Sequence, residues 1–171
     1  MNEILSGIYI GGISAATDEL LLKKCNIEAV VSVLNEFYRQ PVAVKHKLKL
    51  SVDDMPFYPI HRSFEKAVKF IYEHHVQKCS ILVHCFMGVS RSVTIMLAYI
   101  VTVLDVDVNS ALRYVKHKRF CAEPNFGFLE QLHDYVKQDR KAIQSELIKM
   151  HGDIKFYKVK EMTETYIKNN F

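Results

Sequence analysis

Cysteine, proline and glycine are scarce in this chain of 171 residues, with four, four and six copies. Four cysteines without metal-type pairing do not make a disulfide framework at this length. The apolar run from Val93 to Leu104 falls short of the ~20 residues a membrane-spanning helix needs. No Lys/Arg block is long enough to read as a nucleic-acid arm. The first residues, Met1-Asn2-Glu3-Ile4-Leu5, lack a basic region ahead of an apolar stretch, so no signal peptide is expected. Position 2 is Asn rather than Gly, so the N-myristoylation motif is missing. There is no internal repeat and no low-complexity segment.

What is present suits a single soluble α/β domain. Apolar residues make up 49% and charged residues 25%, with a net charge of +4. That mild positive balance favours phosphorylated or acidic substrates without calling for nucleic acid. The sequence predicts strands over Gly7 to Gly12, Ile27 to Val33, Lys47 to Val52 and Ser80 to His84. Helices are expected over Ala15 to Lys24, Ser63 to His75, Arg91 to Leu104 and Val106 to Lys116, and from Pro124-Asn125 through Tyr135. Asp107 or Asn109 would cap the fourth of these helices and Asn125 the fifth. Asn35 to Val42 and the two-proline stretch Asp53 to Pro59 read as loops. Strands alternating with helices imply a central mixed, mostly parallel sheet flanked by helices. Ligands bind such sheets outside the carboxyl ends of the strands. Residues 1–138 then form one folded domain. Residues 139–171 form a charged C-terminal tail without a strong period, partly helical, broken at His151-Gly152-Asp153. Packing of that tail on the domain is favoured over an independent partner-binding segment.

The stretch Ile81-Leu82-Val83-His84-Cys85-Phe86-Met87-Gly88-Val89-Ser90-Arg91-Ser92 organises the chain. It reads as strand, tight loop and helix, with Cys85 at the loop's start and Arg91 at the helix's start. Backbone N–H groups of Phe86, Met87, Gly88, Val89, Ser90 and Arg91 can curl around one anion at the helix N-terminus. Those positive surroundings make Cys85 a candidate thiolate. Arg91 offers a planar fork for two phosphate oxygens, and Ser92 can hydrogen-bond the sulfur. A nucleophile, an anion cradle and a bidentate cation in one loop suggest phosphoryl transfer to cysteine. An acid must then protonate the leaving oxygen, and Asp53 and Asp54 are the candidates.

The pattern His84-Cys85-x-x-Gly88-x-x-Arg91-Ser92 resembles the signature of the cysteine-dependent protein phosphatases. It is most similar to their small atypical dual-specificity branch, related to the vaccinia phosphatase. The segment Pro124-Asn125-x-Gly127-Phe128-x-x-Gln131-Leu132 also resembles that family, and the likeness runs roughly from Ile4 to Tyr135. Some relatives carry Gly at position 2, and this chain departs from them there. The resemblance implies that Cys85 attacks phosphorus and that the general acid is Asp54, with Asp53 a neighbour. It implies that Arg119 is a basic, phosphate-binding group near the pocket mouth and that Asn125 is a supporting residue. His84 either orients the loop or is simply a core histidine. No cofactor and no metal are implied, and His61, His74 and His75 read as structural. Phe57 and Tyr58 are placed on the pocket wall.

The resemblance implies phosphorylated protein substrates, with both phosphotyrosine and phosphoserine/threonine admitted to a shallow pocket. Phe86, Met87 and Val89 occupy positions where phosphoinositide-directed members typically place Lys, which disfavours a lipid. The same chemistry on an RNA 5′-phosphate or a glycan phosphate, or a phosphoprotein-binding scaffold, are the rival readings. No stable membrane insertion is expected, and the oligomeric state stays open. A reactive thiolate needs a reducing compartment, so a cytoplasmic location is expected, with the nucleus also open. Cys121 is a candidate redox partner of Cys85. The helix after Arg91 runs away from the site, the next returns, and the loop holding Cys121 comes back to the active-site face. Cys79 precedes the strand that Cys85 ends, roughly 20 Å away at about 3.3 Å per residue of extended chain, and Cys25 precedes another strand at the far edge of the sheet.

Overall fold

The uninterrupted apolar run Ile81-Leu82-Val83 suits a strand covered on both faces, and the structure places it at the centre of a sheet. The computed structural model describes residues 1–35 and 44–171. Five strands occur among them: β1 (Asn2–Leu5), β2 (Ile8–Gly11), β3 (Ile27–Val33), β4 (His46–Leu50) and β5 (Ser80–His84). Their order is β1-β2-β5-β3-β4. Only β1 runs antiparallel to its neighbour, and the other pairings are parallel. The mixed, mostly parallel sheet is the expected class.

One face of the sheet carries Ala29, Val31, Ile81 and Val83 into the main apolar core. Opposite them lie α3 (Phe64–Val76), α4 (Arg91–Leu104), α5 (Val108–Lys118) and α6 (Phe126–Gln138). α4 is buried along its whole length, and its sequence is apolar all round, as an enclosed helix requires. The other face of the sheet carries Val30 and Leu82 into a smaller cluster. Ala16 and Leu22, from α1 (Ile13–Thr17) and α2 (Glu19–Lys24), complete it.

The structure corrects the reading in two places. β1 was not anticipated, because four residues at a terminus carry too little period to stand out. The helix expected over Ala15 to Lys24 is two helices. Asp18 between them is extended, and its carboxylate accepts from the Leu21 amide, so it caps the second helix rather than continuing the first. Of the two candidate caps for α5, Asp107 holds the position, accepting from the Ser110 amide at 2.9 Å. The loop expected over Asn35 to Val42 lies, beyond Asn35 itself, outside the described residues.

The tail is helical over most of its length. It is α7 (Arg140–His151) and α8 (Asp153–Asn170), joined at Gly152 with φ +84°. Phe156, Val159 and Thr163 are buried at helical spacing, and Phe156 is 1% exposed. Ile154, Tyr157 and Met162 lie outside that stripe in solvent, which hid the period from the sequence. Phe156 stacks on Tyr72 of α3, with ring centroids 5.9 Å apart. Ile143, Leu147, Phe156 and Val159 therefore belong to the same apolar core as β5 and α4.

Truncating a buried aromatic removes its transfer free energy and leaves a cavity. Phe156→Ala should lower unfolding stability by about 3–5 kcal/mol in urea titrations, with one cooperative transition retained. A loss under about 1 kcal/mol would mean that α8 is an appendage rather than part of the core.

Candidate active site

Cys85 follows the carboxyl end of β5, and Arg91 opens α4. Every backbone carbonyl between them has a partner on the outer side of the loop. The Cys85 carbonyl accepts from His84 Nδ1 at 3.2 Å and the Phe86 carbonyl from the Ile13 amide at 2.9 Å. Arg119 holds the next two, donating from Nη2 to the Met87 carbonyl at 3.2 Å and from Nε to the Gly88 carbonyl at 2.7 Å. The Val89 carbonyl accepts from the Glu123 amide at 2.8 Å, and the Ser90 carbonyl from the Thr94 amide at 2.9 Å.

In a planar trans peptide the carbonyl and the following N–H point in opposite directions. Six carbonyls held outward therefore turn the six amides from Phe86 to Arg91 inward. Among the described residues, the amides of Phe86, Met87, Val89 and Ser90 meet no protein acceptor. The geometry is that of an anion cradle closed by a helix N-terminus. Gly88 permits it, with φ +72° and a position where an added Cβ would lie 2.4 Å from the Gly11 carbonyl oxygen.

The Cys85 sulfur sits at the foot of this cradle, 1% exposed. The Gly88 amide lies 3.1 Å from Sγ and the Ser92 hydroxyl 3.3 Å. Two hydrogen-bond donors therefore converge on the one sulfur. Arg91 is buried, with Nη1 donating to the Val52 carbonyl at 3.1 Å. That bond fixes the plane of the guanidinium fork beside the cradle.

Asp54 arrives from the loop after β4. Its Oδ1 accepts from the Ser90 hydroxyl at 2.7 Å and from Asn125 Nδ2 at 2.8 Å, while Oδ2 lies 3.6 Å from Arg91 Nε. Asn125 also caps α6 through its Oδ1 on the Phe128 amide, and its own amide donates to Ser90 Oγ. Ser90 and Asn125 thus tie the Asp54 loop to the cradle. Asp53 takes a different partner, accepting from Asn35 Nδ2. The start of α6 presses on the Asp54 loop so closely that a Cβ at Gly127 would lie 2.0 Å from the Pro56 carbonyl oxygen. Gln131 secures the same loop by donating to the Tyr58 carbonyl at 2.8 Å.

His84 points to the other face of the sheet. It is fully buried, with Nε2 3.0 Å from Ser32 Oγ, and burial pushes its imidazole down to about 4. Because a carbonyl can only accept, Nδ1 carries the proton, and the neutral ring bridges β3 to the first cradle peptide.

The structure gathers Cys85, Arg91, Ser92, Asp54, Ser90 and Asn125 around one cradle. Arg119 is a correction. Its guanidinium is spent on two loop carbonyls and, from Nη1, on Asn2 Oδ1 at 2.6 Å, so it grips the cradle from outside. Outward carbonyls present the negative ends of their dipoles, which draws the cation there instead of into the pocket. Phe57 is 82% exposed, and the Tyr58 hydroxyl turns away to the Ser51 carbonyl. Cys121 is half-buried in the segment that Glu123 and Arg119 hold against the cradle. The sequence reading missed Ile13, Glu123 and Thr94, which act through backbone or local bonds. The Gly11-Gly12 pair was the available signal for the first, since it brings Ile13 against Phe86. No His/Cys/Asp/Glu group suited to a metal occurs among the described residues, and no helix among them is long and apolar enough to cross a membrane.

This fold and site define a class, and residues 8–138 match the family described as "Dual specificity phosphatase, catalytic domain". The chain belongs to the dual specificity phosphatase family, whose members are cysteine-dependent phosphatases. Among curated relatives, Dual specificity protein phosphatase 22 of Homo sapiens is 38% identical over 153 residues, covering 90% of this chain and 83% of its own length. Dual specificity protein phosphatase 1 of Arabidopsis thaliana is 37% identical over 135 residues, covering 78% of this chain and 68% of its own length. The crystal structure of DUSP15 superposes with a TM-score of 0.85 at 29% identity, covering 90% of this chain and 97% of that one. The likeness supports a small atypical dual-specificity phosphatase.

Two outcomes test this geometry. Gly127→Ala should leave a folded protein yet cut kcat/KM for an aryl phosphate by about 10²-fold, because the Asp54 loop must shift by an ångström or more; unchanged kinetics would disconnect α6 from the acid loop. The second is a pH effect. Burial holds His84 and His75 at about 4 in the folded state, below their ordinary value. The unfolded chain therefore binds more protons below about pH 6.5, so stability is full above that value and falls towards about pH 4. Urea midpoints should drop between about pH 7.5 and 4.5, and the drop should shrink in a His75→Gln/His84→Gln double variant. An equal drop in the double variant would assign it to other groups.

Proposed function

We propose that this chain hydrolyses phosphotyrosine and phosphoserine/threonine in proteins through a phosphocysteine on Cys85. The observation that carries the reading is the set of six outward-held carbonyls, whose inward amides converge above the Cys85 sulfur and beside Arg91. Such a cradle binds the three equatorial oxygens of a phosphoryl group in flight, where charge is spread over them.

In the first step the Cys85 thiolate forms an S–P bond as the P–O bond to the substrate breaks. Asp54 gives its proton to the leaving oxygen, which departs as a neutral hydroxyl. In the second step water attacks phosphorus and Asp54 takes its proton. The S–P bond then breaks, and inorganic phosphate leaves. Ser92 steadies the sulfur as it regains its charge, consistent with the 3.3 Å contact in the free protein. Arg91 clamps two oxygens with its planar fork, in the orientation fixed by the Val52 carbonyl.

Asp54 is favoured over Asp53 as the acid because Ser90, Asn125 and Arg91 surround it, whereas Asp53 is engaged by Asn35. Phe86, Met87 and Val89 project no amine from the cradle, which favours protein monoesters over polyphosphorylated lipids. A thiolate nucleophile also works best where reductants protect it, which fits a cytoplasmic setting.

Asp54→Ala should slow substrates with basic leaving groups by about 10²–10⁴-fold and affect acidic aryl phosphates far less, read from a leaving-group series. Asp53→Ala should change the series little. A larger loss from Asp53→Ala would move the acid to the neighbour. Cys85→Ser should abolish turnover and still bind phosphopeptide, because the backbone cradle persists.

A further inference from the structure

Twelve large apolar side chains are exposed among the described residues, and six of them stand on the three segments that enclose the cradle. Met55 and Phe57 lie on the Asp54 loop, 46% and 82% exposed. Phe86 and Met87 lie on the cradle loop, 50% and 69% exposed. Phe120 and Phe126 lie at either end of the segment between α5 and α6, 92% and 68% exposed. The bonds already described join these segments: Arg119 to Gly88, Glu123 to Val89, Asn125 to Asp54, and the close approach of Gly127 to Pro56. The other six exposed apolar residues are scattered over α2, α7, α8 and the last residue.

Single exposed apolar residues are ordinary, but a group of them on the segments that enclose one site marks a contact surface. The fold does not need these side chains. The buried face of α6 is Gly127, Phe128, Leu132 and Tyr135, so Phe126 stands off it. We propose that these six residues form an apolar collar that selects phosphorylated protein segments with large apolar residues next to the phosphorylated one. This rests on the phosphatase reading above and names the substrate class of the same site.

The chemistry at the collar's centre decides the occupant. The cradle takes one phosphate ester, and the chain carrying that ester must cross the collar to reach it. The nearby charges do not suit an anionic membrane or a polyphosphorylated head group. Asp53 and Glu123 are exposed, and Arg119 is already committed to loop carbonyls. A segment with aliphatic or aromatic flanks buries the collar, whereas acidic flanks would meet carboxylates and bare rings.

The experiment compares two phosphotyrosine peptides, one flanked by Leu and Phe and one by Glu and Ser, with a small aryl phosphate as reference. It uses the wild type and the variants Phe120→Ser and Phe126→Ser, both outside the catalytic machinery. The wild type should prefer the apolar-flanked peptide by about tenfold or more in kcat/KM, and each variant should reduce that value by about three- to tenfold. The aryl phosphate should change by less than about twofold, since it is too small to touch the collar. Equal rates on the two peptides, a preference for the acidic one, or parallel losses on the aryl phosphate would overturn the proposal. Unchanged peptide kinetics in variants that lose binding to phosphatidylcholine vesicles would assign the collar to a membrane instead. Unchanged peptide kinetics in variants that lose a concentration-dependent dimer would assign it to a second copy. A wild type inert even towards the aryl phosphate is a different outcome, and it would reject the phosphatase reading itself.

Discussion

A backbone loop can offer its amides to an anion only if its carbonyls are satisfied elsewhere. That constraint organises this molecule. Between Cys85 and Ser90 no carbonyl is left to the interior of the cradle, and the groups that hold them come from four directions: His84 beneath, Ile13 from α1, Arg119 and Glu123 from the segment after α5, and Thr94 from α4 itself. Unpaired buried peptide groups cost on the order of 1–3 kcal/mol each. A loop so braced resists flipping its peptides, and the amides stay aimed at one point whether or not an anion is there. This is electrostatic preorganisation made from ordinary hydrogen bonds.

The second loop is positioned by the same logic. Asp54 lies on a connection that packing alone would leave free to swing. Ser90 and Asn125 bind its carboxylate, and the missing side chain at Gly127 lets α6 lie against Pro56. Asn125 serves two ends at once, capping α6 with its oxygen and holding Asp54 with its amide nitrogen. The segment from Arg119 to Gly127 is therefore the brace common to both loops, gripping the cradle at one end and the Asp54 loop at the other. Its two exposed phenylalanines, Phe120 and Phe126, lie near its two ends.

Much of this was legible in the sequence. The Cys85–Arg91 spacing between an apolar strand and an apolar helix gives the cradle, because a helix N-terminus must present free amides. The two-proline loop gives Asp53 and Asp54. Less legible were the bonds made by backbone groups, since an amide such as that of Ile13 or Glu123 carries no residue signature. Arg119 was identified as important but placed on the wrong side. A positive charge near a phosphate site reads as a ligand, while the outward carbonyls that attract it are visible only in three dimensions. The tail helices were obscured because Ile154, Tyr157 and Met162 blur the buried stripe of Phe156, Val159 and Thr163.

The central claim is that the cradle delivers phosphorus to one sulfur. The most direct measurement is acid quenching of the enzyme during turnover of a labelled aryl phosphate, followed by peptide mapping of the trapped label. The account predicts a labelled S-phosphocysteine on the peptide carrying Cys85, accumulating further in an Asp54→Asn variant whose second step lacks its base. Full turnover with no label on Cys85, or label on a hydroxyl or an imidazole, would contradict it.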